Sequence, residues 1–128
     1  MYKQKFGIAV LLAMFTLIPG QVMSHHSIAG QFNLDTEVQW TGVVSDMDWI
    51  NPHSYVYLDV ANEDGSVTTW KLETLPSEML RYAGITKALL SGEGQQVTVT
   101  GHTARDGTSH LGFILRIDYE DGHFYKLW

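Results

Sequence analysis

Apolar and polar residues alternate at period two along most of this chain, and the alternation gives way to helical spacing only once. Such a pattern buries one face of each strand and demands that the strands pair, so it restricts the chain to a small sheet around one core. Thr36 to Trp49 reads as a long first strand with Val38, Trp40 and Val44 on one side. Met47 and Trp49 have the opposite parity, and a bulge near Gly42 or Ser45-Asp46 reconciles the two halves. Asn51-Pro52 marks a turn. In Ser54 to Ala61, Val56, Leu58 and Val60 alternate with Tyr55, Tyr57 and Asp59. Asn62 to Gly65 supplies a hairpin connection ending in Asp-Gly, and Ser66 to Thr74 alternates again.

The period then changes. Pro76 opens a segment with helical spacing that ends at Gly84, and Thr86 can cap a further turn. Strands resume at Gln95 to Ala104 and His110 to Glu120, and Asp121-Gly122 turns the chain into Phe124 to Trp128. This order is mainly β. It fits an OB-like Greek-key barrel of five or six strands with one helix between strands three and four. A half-open sheet packed by one helix is the alternative. The expected core is Trp40, Val56, Leu58, Trp70, Leu72, Met79, Leu80, Val97, Val99, Phe113, Leu115 and Ile117.

Residues 1–24 read as a cleaved signal peptide. Lys3 and Lys5 precede the apolar run Phe6 to Ile18, and Pro19-Gly20 leads to Val22-Met23-Ser24, where a signal peptidase can cut. The run falls short of the ~20 residues a membrane span needs. Residues 25–128 then form a single exported domain, periplasmic or secreted, with no membrane attachment after cleavage. Loss of Lys3 and Lys5 makes it two charges more negative than the formal −6 of the whole chain. So acidic a domain is a poor nucleic-acid binder, because phosphate contacts require clustered Lys and Arg. The chain has no cysteine, which excludes disulfides, thiolate catalysis and Cys-type zinc sites.

Several motifs occur together in the chain: His25-His26-Ser27, Phe32, Trp40-Thr41-Gly42-Val43-Val44, Trp49-Ile50-Asn51-Pro52-His53 and Trp70-Lys71-Leu72-Glu73. With the Leu80 to Gly84 helix, Val97-Thr98-Val99-Thr100-Gly101 and Asp106-Gly107, the chain resembles a family of small exported bacterial domains of unknown function. Its most specific element is tryptophan followed by Asn-Pro-His. The resemblance implies an exported, mostly β domain and brings no activity, substrate or catalytic residue.

All six histidines lie beyond residue 24. Nitrogen-rich sites suit Cu(II) in particular. Cleavage after Ser24 makes His25 the first residue, whose amine and ring nitrogen chelate like the brace of some exported copper proteins. Cleavage after Met23 puts His26 third, where amine, backbone amides and imidazole can encircle Cu(II). His26 or His53 supplies a further nitrogen. Against this, adjacent histidines lack the spacing of a zinc motif, and a solvated terminus is the simpler account of them. His53 is held at a strand end by the preceding proline, as a ligand or as a structural histidine bonded to backbone. His102, His110 and His123 read as surface residues, and Glu73 as a solvated strand residue, with completion of a metal shell by its carboxylate as the alternative.

Tyr55 and Tyr57 share a face with Asp59, away from Val56, Leu58 and Val60. They define a second candidate surface, for a protein or small-molecule partner bound by stacking. A cover formed by Ile28 to Leu34 is the simpler account, since Ile28, Phe32 and Leu34 otherwise bury against nothing. Enzyme signatures are missing: there is no Gly-x-Ser-x-Gly, no phosphate loop and no His-Glu-x-x-His. Asp46 and Asp48 read as a solvated edge, so the expectation is a non-catalytic protein.

Overall fold

The computed structural model describes residues 27–128, and the expectations for the leader, His25 and His26 lie outside the described residues. The elements run α1 (Ile28–Gln31), β1 (Val38–Asp48), β2 (Ser54–Ala61), β3 (Val67–Thr74), α2 (Ser77–Tyr82), α3 (Lys87–Ser91), β4 (Gln96–Thr103), β5 (Leu111–Tyr119) and β6 (Phe124–Lys126). Strand β1 pairs antiparallel with β2 on one side and β4 on the other, while β2 continues to β3 and β4 to β5. The ring closes where β3 meets β5 in parallel, through Lys71 with Leu111, Leu72 with Gly112 and Glu73 with Phe113. This is the closed OB-like barrel, with β6 added to β5 outside the ring. The helical segment lies between β3 and β4, in two short pieces.

Two extra residues shape the barrel. On β1, Val44 pairs with Leu58 and Asp46 with Tyr57, so Ser45 is the bulged residue and the side chains switch faces there. That switch turns Met47 into the core, where it is 4% exposed. On β5, Gly101 faces Ile114 and Thr100 faces Arg116, leaving Leu115 unmatched. Ile114 and Ile117 therefore both point inward, and Phe113 points out of the barrel to pack against Phe32, the rings tilted with centroids 5.4 Å apart. The apolar run Phe113-Ile114-Leu115 breaks strict alternation, and the bulge is its consequence.

The interior is filled by Trp40, Val56, Leu58, Leu72, Leu80, Leu90, Val97, Val99, Ile114 and Ile117, with Trp70 half-buried against Trp40. Three expected core residues differ, the first being Phe113, which is buried outside the barrel against Phe32. Leu115 is half-buried because it sits on the bulge. Met79 is 53% exposed because α2 is a single short helix that turns only Ser77 and Leu80 inward. Two residues expected at the surface are buried: Glu73 at 5% and His102 at 5%. Strand β3 is covered on its outer face near its end by the α1 segment and Phe113, which shields Glu73 from bulk water. His102 is buried on β4 opposite Phe113; its Nδ1–H donates to the Thr36 carbonyl at 2.9 Å.

The segment preceding β1 is tied to the barrel by several bonds. Asn33 N–H donates to the Thr103 carbonyl, Arg105 N–H to that of Gln31, and Arg105 Nε to that of Ala29. Phe32 is 1% exposed and bridges to Ala104. The described chain thus begins against the outside of the closure between β3 and β5. Among the described residues no helix is long and apolar enough to cross a membrane.

Candidate functional site

The Asn-Pro-His motif folds as a docked loop between β1 and β2. The Asn51 side-chain oxygen accepts from Ser77 Oγ and from the Glu78 amide, each at 3.2 Å, and so satisfies the open start of α2. Ser77 N–H donates to the Ile50 carbonyl at 3.1 Å, and Ser54 Oγ to the same carbonyl at 2.7 Å. Asparagine and serine are suited to this because their short side chains bond readily to nearby backbone. The loop is fixed at both ends, and His53 leaves it at a defined place.

There His53 meets Glu73. Nδ1 of the ring lies 2.7 Å from Glu73 Oε1, with the histidine side chain 46% exposed and the glutamate 7%. A carboxylate only accepts, so Nδ1 carries the proton. The other ring nitrogen, Nε2, lies away from the glutamate and carries the lone pair whenever the imidazole is neutral. Histidines that ligate metals are held in this way, with the non-ligating N–H given to a carboxylate that fixes tautomer and orientation. The pair spans two strands, since Glu73 lies opposite Tyr55 in the β2–β3 register. It lies at the wall of a cavity of about 210 Å³ whose other walls include Ile28, Pro76, Met79, Phe113 and Trp128.

Ile28 places the start of the described chain at that cavity. His26 precedes it by two residues in the sequence. No group of three or more His, Asp or Glu side chains that could hold a metal occurs among the described residues. His110 and His123 are exposed and occupied elsewhere, His110 edge-on to Trp70 and His123 stacked on Tyr119 with its Nδ1 bonded to Asp121.

Tyr55 and Tyr57 are both half-buried. Tyr57 Oη donates to Asp48 at 2.9 Å, and Lys71 Nζ lies 4.1 Å from the centroid of the Tyr55 ring. Burial, then the Glu73 and Asp48 carboxylates, push the Tyr55 phenol above its ordinary value. For Tyr57 the hydrogen bond to Asp48 leads the same upward shift. Both hydroxyls are neutral. A second small cavity joins Tyr55 and Glu73 to Gly30, Gln31 and Phe32, so the α1 segment reaches Tyr55 as a cover. A larger depression lies across β4, β5 and β6 around Arg116 and Lys126, and shares Trp128 with the His53 cavity. There Arg116 is paired with Asp118 at 2.5 Å.

Glu73 is the residue that sequence reasoning missed. Its parity with Lys71 pointed to solvent, and only the parallel closure with Phe113 and the fold-back of Phe32 bury it. The motif Trp70-Lys71-Leu72-Glu73 was the available signal, because it carried an acidic residue at the closing end of a strand.

The model of a family of unknown function (DUF6152) matches residues 14–113, and the chain belongs to that family. No curated protein and no solved structure matches the chain.

Proposed function

We propose that this member of DUF6152 is an exported, non-catalytic protein that binds a metal ion, copper by preference, through His53 and the amino-terminal His25 and His26. In this reading residues 1–24 are a signal peptide, and the mature protein is periplasmic or secreted, free of membrane and of nucleic acid. The observation that carries it is the His53–Glu73 pair. A buried carboxylate that fixes one nitrogen of a half-exposed imidazole leaves the other oriented for a ligand.

Three further points support it. Ile28, two residues after His26 in the sequence, lines the same cavity as His53. Amine and imidazole nitrogens favour Cu(II) over harder cations. The net charge of the exported chain is strongly negative, which favours any cation. The other reading, a metal-free module that uses Tyr55 and Tyr57, has less to rest on, because Lys71 covers one ring and Asp48 engages the other hydroxyl.

The test compares two exported chains in a Cu(II) competition titration. One begins at His25, as verified by mass spectrometry; the other carries three additional residues, none of them histidine, before it, so that neither His25 nor His26 is the third residue. The extension is expected to weaken binding by about 10–100-fold, or ~1.4–2.8 kcal/mol, because the first amine no longer chelates together with the His25 ring. Equal affinities would overturn the role of the amino terminus.

A further inference from the structure

Met79 is out of place for an ordinary methionine of a small barrel. The other methionine among the described residues, Met47, is buried in the core at 4% exposure, as a flexible apolar side chain should be. Met79 is 53% exposed, on a helix whose neighbouring Leu80 is fully buried. Its side chain lies on the wall of the cavity that His53, Glu73 and Trp128 also line. Helix α2 is fixed in that position by the Asn51 side chain, the same residue that anchors the His53 loop. One docking interaction thus sets both the imidazole and the thioether.

The chemistry of the pair is specific. Without cysteine, the chain has only thioethers as soft donors. Soft thioether ligands select Cu(I), whereas imidazole and amine nitrogens serve Cu(II) well. A thioether with three rotatable bonds can swing across a cavity of about 210 Å³ to share an ion with His53 Nε2. Phe113, Trp128 and Ile28 wall the same space with apolar surface, which suits a singly charged ion better than a strongly hydrated doubly charged one.

We propose that Met79 is a ligand of Cu(I) at the His53 site, so that the site retains copper in its reduced as well as its oxidised state. This rests on the metal-binding reading above and adds the soft donor and the oxidation state to it.

The experiment uses the exported chain beginning at His25 and its Met79→Leu variant. Leucine keeps the volume and the helix preference, so the fold is preserved. Cu(I) affinity is measured anaerobically against bicinchoninate, Cu(II) affinity by a separate competition, and the Cu(I) complex by X-ray absorption. Met79→Leu is expected to lower Cu(I) affinity by about tenfold or more, to leave Cu(II) affinity within about threefold, and to remove the sulfur shell from the Cu(I) spectrum. Undiminished Cu(I) affinity, or a parent complex with no sulfur shell, overturns the role of Met79 while leaving Cu(II) binding intact. A parent chain that binds neither ion overturns the metal reading itself, and this assignment with it.

Discussion

A His53→Ala variant is expected to lose Cu(II) affinity by at least about a hundredfold, beyond the ~10–100-fold that removal of an outer partner costs a metal site. It removes the one ring nitrogen that the barrel itself presents, and the amino-terminal histidines are left to bind as a free peptide does. The same change has a second consequence. Glu73, 7% exposed beside His53, loses the one side-chain hydrogen-bond partner it has among the described residues, the His53 Nδ1–H. An unpaired polar group in the interior costs about 1–3 kcal/mol. Because His53 is half-exposed, water fills the space that alanine leaves, and a loss near 1 kcal/mol is expected in urea unfolding. Copper competition and chemical denaturation read the two effects separately. Unchanged copper affinity would remove His53 from the site, whatever the stability.

Much of the barrel was legible in the chain, and the reasons are local. Alternation in Val56, Leu58 and Val60, Asp-Gly at the hairpin and Pro76 before the helix each follow from backbone geometry and burial within a few residues. The parity conflict between Trp40 and Met47 announced the bulge at Ser45. The second bulge was harder to place. Phe113, Leu115 and Ile117 share a parity, and only the pairing of Thr100 with Arg116 and Gly101 with Ile114 reveals that Leu115 is the extra residue. That one residue sends Phe113 outward onto Phe32 and helps to bury Glu73 beside His53. The site depends on a contact between strands more than thirty residues apart in sequence, Glu73 with Phe113. No local rule contains that contact. His53 was legible from its proline; its partner was not.

The barrel also makes a demand that a single methyl group would break. Gly101 lies at the β5 bulge, and a Cβ there would overlap the carbonyl oxygen of Phe113 while pressing on the Trp40 ring. The first obstacle is backbone, so no rotamer change relieves it; β4 and β5 must separate or change register. Gly101→Ala is therefore expected to cost at least about 3 kcal/mol, the upper end for overpacking. For a barrel of this size that is a fall of roughly 12 °C or more in Tm. Gly65→Ala is the comparison, since φ is 83° there and nothing lies within 4 Å of the added methyl; only the left-handed backbone penalty of about 1–2 kcal/mol applies. Scanning calorimetry of the two variants distinguishes a strand clash from a turn preference. A Gly101→Ala protein that melts within a few degrees of its parent would mean that β4 and β5 are not pinched together at the bulge.

The central claim is that the barrel supplies an oriented imidazole to a copper ion held by the amino terminus. Electron paramagnetic resonance of the chain beginning at His25, loaded with one equivalent of Cu(II), addresses it directly. The spectrum is expected to show a tetragonal, nitrogen-dominated site, and His53→Ala is expected to change both the copper parameters and the nitrogen coupling. If the spectra of the parent and of His53→Ala superimpose, the copper sits on the terminal peptide alone and the His53–Glu73 pair is no part of a metal site.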